Sequence, residues 1–344
     1  MSSQLGIMSP DALVESSKRA YAERGARSAR LGTIVERFGV LLPFALIATL
    51  CIAFVPSFLS ASNITNVLIS ASLTAIVGFG MTIAIALRAF DLSVGSTIGL
   101  TGCVTAMVVG SAGPAIGIIA GVAAGAAVGL TNGLVVGYLR VPAFVVTLGT
   151  LGIIRGTALL LTGGGFISID NSEFKAIATG RFLSVPIPVI VALILLAVWY
   201  VVLERTPLGR HVCAIGGRLE AAVDSGIKVR SVTVKTFVIV GICAGITGVL
   251  TASQLGFVDG TLGTGLELQI IAIAVLGGTS LSGGSGNLVG TFIAAVLLAM
   301  ISSGLNLLNV PSFYQYLAVG LLLLLALGLD SIRRRLQRRT ALGI

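Results

Sequence analysis

Long apolar runs follow one another along most of this 344-residue chain, and only short polar or glycine-rich breaks separate them. A helix needs about 20 apolar residues to cross the hydrocarbon core of a bilayer. The chain is 56% hydrophobic and only 10% charged, whereas soluble domains carry about 25% charged residues. The sequence therefore predicts an all-α polytopic membrane protein.

Ten apolar segments are predicted to cross or enter the membrane. The fifth and the eighth are alternatively broken or re-entrant helices, because irregular backbone is tolerated at membrane depth where protein surrounds it. An even number of spans places both termini on one side of the membrane. The segments cover residues 34–55, 64–87, 92–109, 115–139, 144–161, 186–203, 236–255, 266–276, 288–308 and 313–329.

Basic residues predict the orientation of these segments, because cytoplasmic loops carry an excess of Lys and Arg. With both termini in the cytoplasm, 19 Lys and Arg fall inside and two, Lys175 and Arg181, fall outside. The predicted domains are a basic cytoplasmic tail (1–37), a transmembrane domain (38–330) and a second basic cytoplasmic tail (331–344). The net charge of +9 follows from this bias. It does not indicate nucleic-acid binding, since the basic residues flank apolar spans.

A charged loop, residues 204–235, is the longest polar interruption inside the transmembrane domain. Nine of its residues are charged and six of these are basic, so it is expected in water on the cytoplasmic side. Residues 219–227 predict a short helix with Glu220 and Asp224 one turn apart on one face. A soluble helix beneath a membrane domain is an element on which a partner protein can push.

Six glycines recur at every fourth position of the fourth predicted span. Residues with this spacing lie on one face of a helix, and small residues let helix backbones approach closely in lipid. The pattern predicts a tight contact with another helix, and a sliding surface for conformational change is compatible with it. The glycines are Gly117, Gly121, Gly125, Gly129, Gly133 and Gly137.

Polar residues within or beside the spans are candidates for a solute path. Arg155 lies inside an apolar segment, where an ionisable residue is a functional candidate; alternatively, it snorkels to the outer interface. Asp259 and Glu267 are expected in a solvated outer loop. The four path candidates are Asn132, Arg155, Gln254 and Asn287.

The sequence predicts no metal, nucleotide or catalytic site. His211 is the only histidine, the four cysteines lack metal-ligand spacing, and no G-x-x-x-x-G-K-[ST] motif occurs. No nucleophile stands with a placed His and acid, so an intramembrane enzyme lacks support. An ion-coupled secondary carrier is disfavoured, because such carriers place acidic residues mid-membrane and here they lie at segment edges.

Four motifs, in order, resemble those of the monosaccharide permease subunits of bacterial ABC importers of the ribose type. AFDLSVGS (89–96) resembles their G-[IF]-D-L-S-V-G-S signature, with Ala89 where the pattern usually has Gly. The others are VPAFVVTLGT (141–150), GRHVCAIGGRLEAAVDSGI (209–227) and GTGLELQIIAIAVLGGTSLSGGSGNLVGT (263–291), and the likeness spans about residues 40–330. The matching residues of the first motif are Asp91, Leu92, Ser93, Gly95 and Ser96.

This resemblance implies a multi-pass permease subunit in the bacterial inner (plasma) membrane. Its implied partners are a periplasmic sugar-binding protein, a second permease (the same chain or a related one), membrane lipid and ABC ATPase subunits. The ATPase subunits are expected to hold ATP and Mg²⁺. The chain itself is expected to bind no cofactor. A permease for branched-chain amino acids or for another small polar solute is the alternative within the superfamily, and D-L-S-V-G-S favours a sugar. An E-A-A-x-x-x-G element that couples importers to their ATPase corresponds to Glu220, Ala221, Ala222, Asp224 and Gly226.

Overall fold

The structure, a computed structural model, describes residues 41–311 together with 313, 314, 317, 320 and 321. Both predicted tails and most of the tenth predicted span therefore lie outside the described residues. In chain order the elements are α1 (Leu41–Phe54), α2 (Ala61–Ala86), α3 (Val94–Ala112), α4 (Pro114–Leu139), α5 (Ala143–Thr162), β1 (Phe166–Ser168), α6 (Ser172–Thr179), β2 (Arg181–Phe182), β3 (Val185–Pro186), α7 (Ile187–Arg205), α8 (Pro207–Gly217), α9 (Leu219–Asp224), α10 (Val229–Leu255), β4 (Phe257–Asp259), α11 (Leu266–Leu276) and α12 (Leu288–Leu307).

Seven helices of the described part are long and apolar enough to cross a membrane, namely α2, α3, α4, α5, α7, α10 and α12. The prediction of an all-α polytopic membrane protein is confirmed, while the count of ten spans and the position of the termini stay predictions. The fifth predicted span is one continuous helix of 20 residues. The eighth has 11 residues, which at 1.5 Å per residue is too short for a hydrocarbon core of about 30 Å.

Helices α2 and α10 form the centre of the bundle. In the most apolar 18-residue stretch of each helix, 72% of the residues of α2 and 78% of those of α10 are buried. In α4, α5 and α7 only 22% of the residues in that stretch are buried. Phe79 of α2 and Phe237 of α10 belong to one buried cluster and are fully enclosed. Helix α10 packs along α4 and also touches α2 and α3, and α12 packs against α2, α1 and α11. The peripheral helices therefore keep wide apolar faces outside this chain's own core.

The buried residues of α4 are its six glycines and Asn132. Four of the glycines, from Gly125 to Gly137, meet the backbone of α10. A Cβ on Gly129, for example, would lie 3.0 Å from Cα of Val238, and one on Gly133 would lie 2.8 Å from Cα of Val234. Nearer the start of α4, Gly117 faces α3 instead. The stripe therefore lies against two helices, first α3 and then α10.

Between α5 and α7 the chain forms the small helix α6 and the strands β1, β2 and β3, and β4 follows α10. Strand β1 pairs with β4, with Ile167 opposite Val258, and β2 pairs with β3. Helix α6 packs against α10. There, the Ser253 hydroxyl donates to the Phe174 carbonyl at 2.6 Å and accepts the Ala178 N–H at 3.0 Å. These contacts hold α6 against the end of α10.

Candidate functional site

The charged loop 204–235 contains two short helices, α8 and α9, where a single helix was predicted, and its residues from Val229 onward already belong to α10. Helix α9 covers only Leu219–Asp224, and α8 was not predicted. A local signal for α8 exists, since Thr206 accepts a hydrogen bond from the Gly209 N–H and Pro207 occupies the first helical position. Because the whole loop was interpreted from its charged residues, this amphipathic helix was not predicted.

Helix α9 turns its acidic residues outward. Glu220, Ala221 and Asp224 are exposed, while Ala222 is buried at 3% exposure and anchors the helix to the protein. The helix ends in a turn in which the Gly226 N–H donates to the Val223 carbonyl at 2.9 Å. Gly226 has φ of +77°, a conformation that favours glycine. The carboxylates of Glu220 and Asp224 therefore project from the loop.

Helix α8 ties this surface to the spans. A Cβ on Gly216 would lie 2.7 Å from the backbone nitrogen of Gly284, and the same position faces the carbonyl oxygen of Ala86 at the end of α2. The Arg88 guanidinium donates to the Gly217 carbonyl at 3.1 Å and to the Ser282 carbonyl. Backbone packed this closely transmits a displacement instead of absorbing it. A push on α9 is therefore expected to reach α2 and the glycine-rich loop 277–287.

The Cys213 thiol of α8 is half-buried. Burial, and secondly the carboxylate of Glu204, raise the pKa of the Cys213 thiol above its ordinary value. The thiolate is the reactive form, so a raised pKa makes Cys213 slow to react at neutral pH.

The motif at the start of α3 builds a buried polar network. Asp91 is 2% exposed, and its Oδ1 accepts hydrogen bonds from the Ser93 backbone N–H at 2.9 Å and hydroxyl at 2.6 Å. The Ser93 hydroxyl in turn accepts from Nδ2 of Asn132 on α4 at 3.0 Å. Leu92 is half-buried beside them. The network therefore joins the motif to a path candidate that lies 39 residues away in sequence.

Two buried polar atoms near this network have no hydrogen-bond partner among the described residues. They are Oδ1 of Asn132 and the hydroxyl oxygen of Ser96. An unpaired buried polar atom costs about 1–3 kcal/mol. Such atoms are places where a polar solute can gain hydrogen bonds.

Arg155 of α5 fastens the segment between β4 and α11. Its Nη1 donates to the carbonyl oxygens of Gly260 at 2.8 Å and Leu262 at 2.7 Å, so the side chain turns toward protein instead of only reaching for solvent. Asp259 and Glu267 are half-buried, not fully solvated as expected. Both carboxylates act electrostatically on the Arg155 guanidinium.

The other two path candidates lie apart from this region. Gln254 is half-buried at the last turn of α10. Asn287 caps α12, since its Oδ1 accepts the Gly290 N–H at 2.9 Å. The structure thus connects Asn132 to Asp91, connects Arg155 to the Gly260 segment, and leaves the four candidates spread over the bundle.

Comparison with known proteins identifies the family of this chain. Residues 63–327 match the family described as branched-chain amino acid transport system / permease component. The chain is 39% identical over 298 residues to the ribose import permease protein of Escherichia coli, covering 85% of this chain and 91% of the relative. It is 37% identical over 300 residues to the ribose import permease protein of Bacillus subtilis, covering 86% and 93%.

A third relative has a different sugar in its name. The L-arabinose ABC transporter permease protein of Azospirillum brasilense is 34% identical over 334 residues, covering 96% of this chain and 98% of the relative. No solved structure matches the chain. The resemblance predicted from the four motifs is confirmed, and the chain belongs to this permease family together with the ribose-type ABC importer permeases.

Proposed function

We propose that this chain is the membrane-spanning permease subunit of an ABC importer that takes up a monosaccharide. Relatives that match over most of the chain carry the names of ribose and L-arabinose permeases. The D-L-S-V-G-S motif favours the same substrate class over branched-chain amino acids. Lipid surrounds the spans, in the bacterial inner membrane.

The observation that carries the mechanism is the exposed acidic face of α9, held by Ala222 and tied through α8 to α2. In this proposal the chain is no enzyme and holds no cofactor, because ATP and Mg²⁺ bind to partner ATPase subunits. Closure of the ATPase pair moves α9, and the close contacts of Gly216 and Arg88 carry the movement into the spans. A solute path then opens toward the cytoplasm.

A second permease copy and a periplasmic sugar-binding protein complete the proposed importer. Helices α4, α5 and α7 keep most of their apolar surface outside this chain's core, which supports contacts with lipid and with another copy. The sugar-binding protein docks on the outer elements α6 and β1–β4. Within the path, Asn132 and Ser96 offer unpaired hydrogen-bonding atoms to sugar hydroxyls.

A charge reversal on α9 tests the coupling. Glu220→Lys is expected to weaken co-purification with the ATPase and to abolish sugar uptake at normal membrane abundance, because a cation replaces the acid at a complementary surface. Glu204→Lys is the matched control, since Glu204 is also exposed but lies at the end of α7. Unchanged co-purification and uptake in Glu220→Lys would remove α9 from the coupling role. Uptake by vesicles that contain only the purified chain would instead indicate a secondary carrier.

Cysteine labelling tests the orientation, which rests on the basic bias. Ser225→Cys in the charged loop and Ser172→Cys in the outer segment place thiols at two exposed positions. Cys213 is replaced by Ser, and Cys51, Cys103 and Cys243 are buried. An impermeant maleimide on intact cells should label position 172 and not 225. Labelling of position 225 and not of 172 would mean that the chain has the opposite orientation in the membrane.

A further inference from the structure

A cavity of about 920 Å³ opens beside α9, between the end of α2, the α4–α5 turn and the start of α10. It lies at the cytoplasmic end of the bundle in the orientation proposed above. Leu219 and Val223 line it, so the apolar side of α9 faces the cavity, while Glu220 and Asp224 do not line it. The cavity is thus separate from the acidic face assigned to the ATPase.

The charged side chains that line this cavity are all basic among the described residues. They are Arg88, Arg140, Lys228 and Arg230. The side chains of Arg140 and Lys228 make no hydrogen bond or ion pair within the described part of the chain, and both residues are exposed. Arg230 lies 5.6 Å above the ring of Tyr138, a geometry that fixes a cation without neutralising it. The cavity therefore has a strong preference for an anion.

Two helix N-termini add to this preference. Helix α5 begins after Pro142 and α10 begins after Lys228, and neither helix has a side-chain N-cap. Both starting segments line the cavity. The free N–H groups of a helix N-terminus carry partial positive charge and bind phosphate and carboxylate groups.

Apolar surface continues from the rim of the cavity along the spans. Leu139 at the end of α4 is 70% exposed, and Phe144 and Val145 at the start of α5 are 55% and 56% exposed. A free phosphate gains no favourable contact from such a surface, whereas lipid acyl chains pack against it. Basic pockets between helices at the cytoplasmic side of a membrane have the chemistry that binds anionic head groups.

We propose that this cavity binds an anionic phospholipid. Its phosphate lies among Arg140, Lys228 and Arg230, and its acyl chains follow the exposed apolar residues of α4 and α5. The bound lipid contacts the apolar side of α9 and so adjoins the element that couples the chain to its ATPase.

The test titrates dioleoylphosphatidylglycerol into the purified full-length chain in detergent and measures bound lipid by native mass spectrometry. The double variant Arg140→Gln/Lys228→Gln is expected to bind about 30-fold more weakly, from about 1 kcal/mol per basic residue near the head group. Arg205→Gln/Arg210→Gln is the matched control. It removes the same charge from exposed positions outside the cavity and should bind as the unmodified chain does.

A charge-keeping variant separates lost binding from lost folding. Arg140→Lys/Lys228→Arg is expected to retain most of the affinity, because both side chains stay cationic. Equal binding of dioleoylphosphatidylcholine, equal losses in both charge-removing variants, or displacement of the lipid by an equal concentration of inorganic phosphate would each overturn the proposal. Unchanged lipid binding in Arg140→Gln/Lys228→Gln would overturn it as well. The measurement reports lipid binding and not transport. The lipid proposal can therefore be overturned while the proposed importer function holds, and the importer function can be overturned while the lipid proposal holds.

Discussion

Gly125 of α4 and Gly245 of α10 face each other so closely that a Cβ on Gly125 would lie 2.9 Å from Cα of Gly245. The same Cβ would also meet the carbonyl oxygen of Gly241. These obstacles are backbone atoms, which cannot rotate away as a side chain does. The two helices thus approach to a distance that only glycine permits, and the contact has no spare volume.

Gly125→Ala is therefore expected to destabilise the protein by about 1–3 kcal/mol, the usual cost of overpacking. Gly110→Ala in α3 is the control, because a Cβ there meets nothing within 4 Å and Ala favours a helix over Gly. The thermal unfolding midpoint of each variant in detergent gives the comparison. Equal midpoints for the two variants would show that α4 and α10 separate easily at this position.

Arg155→Met is expected to release the segment between β4 and α11. The substitution keeps an apolar stem of similar length but removes the donor that binds the Gly260 and Leu262 carbonyls, and hydrogen bonds to a charged group contribute about 1.5–3 kcal/mol. Hydrogen–deuterium exchange of peptide 257–265 should become faster. Arg181→Met, at an exposed position of β2, serves as control and should leave that peptide unchanged. Protection that survives in Arg155→Met would mean that other contacts hold the segment.

Asp91→Ala is expected to lower stability by roughly 1–3 kcal/mol for each buried Ser93 donor that it leaves unpaired. Asp91→Asn should cost less, because a side-chain oxygen remains to accept the two Ser93 hydrogen bonds. Because both variants lack the carboxylate charge, the difference between their unfolding midpoints measures what the hydrogen-bond acceptor contributes to stability. If both variants unfold at the same temperature, the network contributes through the carboxylate charge alone.

Features that depend on composition were predictable from the sequence. The span predicted at 64–87 is the helix Ala61–Ala86 and the one at 115–139 is Pro114–Leu139, because a long apolar run fixes a membrane helix almost by itself. Glycines at every fourth position show which face of α4 is suited to close contact, but they do not indicate which helix packs against that face. The contacts with both α3 and α10 therefore required the structure.

Contacts between distant residues could not be read from local patterns. Arg155 binds carbonyls 105 and 107 residues away, and a single sequence carries no signal for such a pair. Asn287 was a path candidate because it is a polar residue beside an apolar span. Its place just before an apolar run is also an N-cap signal, and the structure has it in that position. Helix α8 is missing from the prediction because hydropathy alone does not detect a short amphipathic helix.

The turn after α9 gives the last prediction. Gly226 has φ of +77°, and a Cβ there would meet no atom within 4 Å. Any effect of a substitution therefore comes from backbone strain and not from a clash. A β-branched residue is a genuine outlier at positive φ, whereas Asn adopts this conformation more readily than most residues.

Gly226→Val is expected to distort the turn, shift α9 and reduce ATPase co-purification and sugar uptake together, at normal membrane abundance. Gly226→Asn should retain both, because it can keep the Gly226 N–H bond to the Val223 carbonyl. Both substitutions lie in an exposed loop, so neither alters the apolar segments that direct membrane insertion. Abundance, co-purification and uptake are measured in the same cells. If both variants retain co-purification and uptake, the geometry of the turn does not control the docking proposed for α9.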